Sequence, residues 1–381
     1  MRIIRASVRG YRALYEVNLE IRGLNVLVGP NGAGKTSLLE LFSLLSQAMQ
    51  EALGPALSER GGIDQLLTRG RATSLTIEIA VDTDNPTPLI YKAELASTSR
   101  GFEIRREELT QVQKPAPAAP FVFLTNSPHG CLFHDPQARK LAPPDWNFKA
   151  DELALAQVLR SYRAPEELRR MLASVALYDR LDVSRRAPVR LPQDLVPVSL
   201  PGPNGADLFA YLHNLRSTDE ATFERLQDVL RSQFPGFRKL EFPVVGKGQA
   251  VLAWHDANGA PYYQNDLSEG TLRFIWLASV LLCPQLPTLT LIDEPEVSLH
   301  PELLAVIAAL LQEASLRTQL LVATHSDRLI RWLNPGDIVL ADKTDGAVAL
   351  RRADSIPSIE AWMKEFTLDE LWRMGELGAR T

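Results

Sequence analysis

No stretch constrains this chain more than Gly29-Pro30-Asn31-Gly32-Ala33-Gly34-Lys35-Thr36-Ser37. It follows the short apolar run Leu24-Asn25-Val26-Leu27-Val28, and behind it Leu38, Leu41, Phe42, Leu45 and Met49 recur at helical spacing. A glycine-rich loop between a buried strand and an amphipathic helix turns backbone N–H groups toward phosphate oxygens and adds the positive end of the helix dipole. The pattern predicts an α/β fold in which Gly29, Asn31, Gly32, Ala33, Gly34, Lys35, Thr36 and Ser37 surround the phosphates of a nucleotide. In that reading Lys35 neutralises the β and γ phosphates and the Thr36 hydroxyl ligates Mg2+. A ligand-free turn before a helix is the plainer alternative, and the flanking strand and helix argue against it.

The second half of the chain supplies matching parts. Thr288–Asp293 reads as a buried strand, Pro301–Ser315 as a helix with proline in its first turn, and Gln319–Thr324 as another buried strand. Strand, helix and strand in close succession form a right-handed βαβ unit, which places Asp293, Glu294 and His325 at carboxyl ends of strands, where open α/β sheets take their ligands. Asp293 is expected to hold Mg2+ and Glu294 to act as general base on water. A buried carboxylate pair with no metal or donor is costly, which weighs against a purely structural role. Glu296 is expected as a solvated loop residue, and His300 as structural. Leu267-Ser268-Glu269-Gly270-Thr271 precedes a helical run; read alone, Ser268 is equally an N-cap.

Composition excludes several classes. Of 381 residues, 45% are hydrophobic and 23% charged, as in an ordinary folded domain. The formal charge of −5 argues against a whole-surface grip on nucleic acid, though not against a local basic stripe. Two cysteines, Cys131 and Cys283, give no disulfide framework. No apolar run reaches the ~20 residues of a membrane helix and Met1 leads into a strand-like stretch, so no membrane association and a cytoplasmic location are expected.

Along the chain, residues 1–28 alternate as strands, as do Leu75–Val81, Leu89–Leu95 and Phe102–Ile104. Proline-rich sequence from Pro115 to Pro144, broken by Phe121-Val122-Phe123-Leu124, gives way to helical spacing near Asp151–Tyr178 and Ala206–Phe234. The expected division is 1–114 for the N-terminal half of the nucleotide domain with an antiparallel β subdomain, 115–236 for an inserted, mainly helical lobe, and 237–381 for the C-terminal half. Neither helical stretch sustains a heptad, which excludes long coiled-coil arms.

With these residues assembled, the chain resembles the RecF/SMC/OLD-like branch of ABC-class ATPases, the AAA_21-type predicted ATPases. The resemblance rests on Gly29–Ser37, on Leu267-Ser268-Glu269-Gly270-Thr271-Leu272-Arg273-Phe274, on Asp293-Glu294-Pro295-Glu296 followed by Leu299-His300-Pro301, on Ala323-Thr324-His325-Ser326 and on the tail Leu371–Gly378. It implies a P-loop NTPase of ABC type with a mixed sheet, an antiparallel β subdomain and an inserted helical lobe. It also implies ATP and Mg2+, a homodimer sharing its ATP sites, Ser268 and Gly270 acting on the partner's nucleotide, and His325 as the switch that senses the γ-phosphate. Arg273 either couples nucleotide state to movement or forms a surface ion pair. Glu269 departs from the transporter signature, and the Q-loop glutamine stays open among Gln65, Gln111, Gln113 and the Asn126 region.

Three functions fit. One is a clamp or sensor on DNA, in repair or antiviral defence, using a basic face drawn from Arg69, Arg71, Arg160, Arg163, Arg169, Arg170, Arg185, Arg186 and Arg190, each of which is equally read as solvated charge. Another is an ATP-gated scaffold for a separate effector or nuclease subunit. A transporter motor fits less well, because 233 residues separate Lys35 from Ser268.

Overall fold

A computed structural model describes residues 1–83, 85–99, 101–112, 119–135, 137–257, 259–344 and 347–377. Its centre is a six-stranded sheet in the order Ala176–Tyr178, Leu289–Asp293, Gln319–Thr324, Leu24–Val28, Ile338–Thr344 and Ala347–Arg352. All neighbours are parallel except the last pair. Strands buried on both faces read as mainly apolar runs, and alternate residues of this sheet feed two cores. Val26, Val28, Ile292 and Val322 face one core, built with the helices Leu208–Thr218, Glu220–Gln233, Glu269–Leu282 and Leu303–Ser315. Leu27, Leu291, Leu321 and Val339 face the other, with the helix Lys35–Ala48. Each such side chain contributes about 1.5–3 kcal/mol on burial.

Over the Lys35–Ala48 helix lies an antiparallel sheet of eight strands, running in order through Leu14–Glu20, Arg2–Tyr11, Ser74–Asp82, Leu89–Thr98, Gly101–Gln111, Phe121–Ser127, Gly130–Asp135 and Lys140–Ala142. Buried polar groups join the layers. Gln319 accepts from the Ile3 N–H at 2.8 Å and donates to the Ile3 carbonyl at 2.7 Å, tying the two sheets together. Asn25, inside the phosphate-loop strand, donates to Leu320 O at 2.9 Å and accepts from Arg352, so its polarity is satisfied.

The strands and helix of the expected βαβ unit are found at Leu289–Asp293, Leu303–Ser315 and Gln319–Thr324. The middle of the chain differs from expectation. The stretch 121–142, expected within the helical lobe, holds the last three strands of the antiparallel sheet, because its residues find pairing partners beyond Gly101–Gln111. The helical stretch Asp151–Tyr178 contracts to Arg163–Ala173. Ahead of that helix, buried Glu107 accepts the N–H groups of Ala154 at 2.6 Å and Leu155 at 2.8 Å, which holds the backbone in a short turn. Behind it, Ala176–Tyr178 extends and pairs in parallel with Leu289–Asp293. The longest described helices have 14 residues, far short of a coiled-coil arm. Among the described residues, no helix is long and apolar enough to cross a membrane.

Candidate nucleotide-binding site

The phosphate loop leaves the sheet at Val28. A Cβ on Gly29 would lie 2.2 Å from the Ala341 carbonyl, so no larger residue fits there. Gly32 and Gly34 take φ of +79° and +78°, the left-handed region that glycine enters without strain. Gly34 then starts the helix Lys35–Ala48 with no side-chain cap, so the first-turn N–H groups stay available to an anion. The Ala33 N–H closes the loop on Pro30 O at 3.2 Å, while Asn31 and Gly32 are exposed at its tip. Ser37 sits half-buried in the first helical turn. The Lys35 ammonium donates to Gly29 O at 2.6 Å and Pro30 O at 3.0 Å, holding the place of a phosphate oxygen partner. Burial lowers its pKa, and the nearby charges of Asp293, Glu294 and Glu296 oppose that shift.

Two carboxylates arrive from the next strand but one. Asp293 ends Leu289–Asp293 and pairs in register with Ala323, with the Thr36 hydroxyl close enough to its carboxyl to favour the ionised form. One of its oxygens, Oδ1, is buried with no hydrogen-bond partner among the described residues. Burial pushes the Asp293 carboxyl up to about 6, reinforced by Glu294, Asp179 and Glu296 and opposed by the Thr36 hydroxyl. An orphaned carboxylate oxygen beside a threonine hydroxyl fits a magnesium ion, which prefers one or two protein oxygens and completes its shell with water and phosphate. Glu294 lies in the left-handed region at φ +49°, a conformation that costs a non-glycine residue about 1 kcal/mol or more and collects at functional sites. Its N–H donates to Ala323 O at 2.8 Å. Its carboxylate is held from both sides, by His325 Nδ1 at 3.3 Å and by Arg180 at 3.1 Å.

Glu296 is not the solvated loop residue that the sequence led us to expect. Its side chain is only 9% exposed and accepts from the Thr324 hydroxyl at 2.6 Å and the His325 N–H at 3.2 Å. The turn after Pro295 carries it back beneath the neighbouring strand end, where it fixes the backbone of His325. His300 is exposed and turned toward Glu302. Arg273, expected at the surface in one reading, is buried and donates to Leu181 O at 2.7 Å. Among the described residues, none of the Q-loop candidates leaves a strand of the six-stranded sheet. Gln111 donates to Thr87 O, Asn126 to Glu107, and Gln65 lines a groove beside Arg12; Gln113 lies outside the described residues. The residues that do follow the strand beside Leu289–Asp293 are Asp179 and Arg180.

Ser268 caps the helix Glu269–Leu282, accepting from the Thr271 N–H at 3.1 Å. Gly270 admits the Ser298 carbonyl, which would lie 2.6 Å from a Cβ there. Among the described residues no hydrogen bond joins Ser268 to the phosphate loop of its own chain. The structure therefore gathers Lys35, Thr36, Asp293, Glu294 and His325, and leaves the signature outside that cluster.

A glycine loop ahead of a capless helix, with an acid pair and a histidine on adjacent parallel strand ends, marks a P-loop fold of the ABC type. Over residues 24–331 the chain matches the family described as "AAA domain, putative AbiEii toxin, Type IV TA system", and it belongs to that family. Its curated relatives include the DNA replication and repair protein RecF of Shewanella sp. (strain MR-4), 23% identical over 200 residues, which are 52% of this chain and 53% of that protein. RecF of Shewanella oneidensis matches to the same extent. The chain thus spans about half the length of the curated relatives it matches. Among solved structures, the Smc head bound to the C-winged helix domain of ScpA is similar at a TM-score of 0.57 and 14% identity, covering 92% of this chain and 98% of that one. The Pyrococcus furiosus Smc head with an extended coiled coil, bound to the C-terminal domain of ScpA, gives 0.55 and 11%, covering 96% and 100%. At such identities the likeness is one of fold.

Proposed function

We propose that this chain binds and hydrolyses ATP with magnesium at a site completed by a second copy, and that the nucleotide-driven homodimer acts on DNA in the cytoplasm as a clamp or sensor, in repair or in defence against phage. One observation supports the ATPase reading above others: Lys35, Thr36, Asp293, Glu294 and His325 converge from a loop and two neighbouring strand ends, and at the centre is an Asp293 oxygen with no partner among the described residues. The loop amides and Lys35 would bind the phosphates, Lys35 exchanging loop carbonyls for phosphate oxygens. Thr36 and Asp293 would hold magnesium, which supplies charge neutralisation at the β and γ phosphates when bound. Glu294 would take the proton of the attacking water, and His325, steered by Glu296, would orient Glu294 and follow the γ-phosphate.

Among the described residues Ser268 makes its hydrogen bonds to Thr271 and none to the chain's own phosphate loop, so it and the N–H groups opening the helix Glu269–Leu282 suit the γ-phosphate of a partner. Ser268→Arg is expected to leave ATP binding by the monomer intact while blocking nucleotide-dependent dimerisation and turnover. Nucleotide titration, sedimentation and phosphate release read the three effects separately, and normal hydrolysis by this variant would remove the shared site.

The DNA reading draws on a groove beside the phosphate loop. Arg12, Arg60, Arg69, Arg71 and Lys343 line it, with Glu40 paired to Arg12. Of the basic residues singled out in the sequence, Arg69 and Arg71 lie there, whereas Arg169 and Arg170 pair with Glu166 and Arg190 is buried. Four or five phosphates neutralised at such a groove predict DNA affinity falling roughly 150- to 500-fold between 50 and 200 mM salt. An affinity indifferent to salt rules the groove out as a DNA site. Retention of a protein effector by the Glu294→Gln variant without DNA would instead favour the scaffold.

A further inference from the structure

Glu294 has a backbone conformation that an extended strand does not set, so the direction of its carboxylate depends on what grips it. Two side chains do, one from each flanking strand end. His325 follows Gln319–Thr324, and Arg180 follows Ala176–Tyr178. Arg180 is 65% exposed, and an exposed ion pair alone is weak and mobile. The backbone behind it is not mobile in the same sense. Leu181 O accepts the buried Arg273 guanidinium at 2.7 Å, and Val183 O accepts buried Arg190 at 2.7 Å. Arg190 also donates to Gln264 O at 2.9 Å and Leu267 O at 3.2 Å, while Arg273 stands on the helix that Ser268 caps. The segment from Asp179 to Arg190 is therefore fastened to both sides of the signature and presents the Arg180 guanidinium to Glu294.

Resting on the reading of Glu294 as the general base, we infer that Arg180 is a positioning residue for ATP hydrolysis: it fixes the Glu294 carboxylate from the side opposite His325, on a segment anchored to the signature. Geometry makes the base accountable to two strand ends, and removing one leaves its carboxylate free to swing through the positions open to a left-handed glutamate. Asp179, on the same segment, adds negative charge toward Asp293 and does not replace the lost contact.

The test compares the full-length wild type, Arg180→Ala, Arg180→Lys and Glu294→Gln in steady-state ATP hydrolysis at several ATP concentrations. Arg180→Ala is expected to lower kcat by roughly tenfold or more with KM within about twofold, since a misdirected group costs rate before it costs binding. Arg180→Lys is expected to recover a large part of kcat. A general loss of structure would move KM and the unfolding temperature as well, and lysine would not restore it. Unchanged or raised kcat in Arg180→Ala, with Glu294→Gln inactive, overturns the role of Arg180 and leaves the base in place. Turnover retained in Glu294→Gln overturns the reading on which this inference rests.

Discussion

Glu294→Gln is expected to reduce ATP turnover by roughly 10²–10⁴-fold while ATP stays bound. The substitution keeps the shape of the side chain and an oxygen for Arg180, at 3.1 Å in the wild type, and removes only the ability to accept a proton from water. The phosphate loop, Thr36 and Asp293 are untouched, so nucleotide affinity should hold within a few-fold. Because binding continues and turnover stops, the variant should accumulate in the nucleotide-bound form, and any dimer that ATP favours should become long-lived. Single-turnover hydrolysis and size-exclusion chromatography with MgATP check both. A Glu294→Gln protein that hydrolyses ATP at close to the wild-type rate assigns the base elsewhere, with Glu296 an unsuitable substitute because its carboxylate already serves Thr324 and His325.

The organisation of this site explains why so much of it was legible in the sequence. Its main parts are local patterns with local physical causes: glycines at 29, 32 and 34 for close approach and left-handed turns, and a carboxylate pair ending an apolar strand. What escaped were residues whose roles depend on strand order. Arg180 follows a strand of three residues hidden at the end of a stretch with helical spacing, and only its parallel pairing with Leu289–Asp293 brings it to Glu294. Glu296 looked like any acidic residue after a proline, because nothing local reveals that its oxygen meets Thr324 and His325 across the sheet. Arg273 illustrates the same limit: the helix register says that it follows the signature, but its partner, Leu181 O, lies 92 residues earlier. Residues 121–142 joined the antiparallel sheet for a related reason, since proline-rich flanks describe the connections and say little about the pairing edge that Gly101–Gln111 offers.

Asp293→Asn should have opposite effects on function and on stability. In the wild type the carboxyl is pushed up to about 6 from 3.8, chiefly by burial. A carboxyl whose folded value is raised favours the native state when protonated, so its contribution is fully present below pH 3.8 and is lost as the pH rises through about 6. At pH 7.5 the ligand-free protein carries a charge that destabilises it by about 2 kcal/mol, after allowance for solvent screening at a partly open site. Asparagine keeps an oxygen for Thr36 and carries no charge. The ligand-free variant is therefore expected to melt roughly 2–5 °C higher than wild type at pH 7.5, with the difference shrinking toward zero near pH 4. MgATP should reverse the order, because the wild type gains stability from every ligand bound to its native state and the variant has lost the carboxylate that holds magnesium. Thermal melts of both proteins across pH 4–8, with and without MgATP, decide the matter. A variant no more stable than wild type at neutral pH would mean that Asp293 bears no uncompensated charge, and one stabilised equally by MgATP would mean that it does not serve the metal.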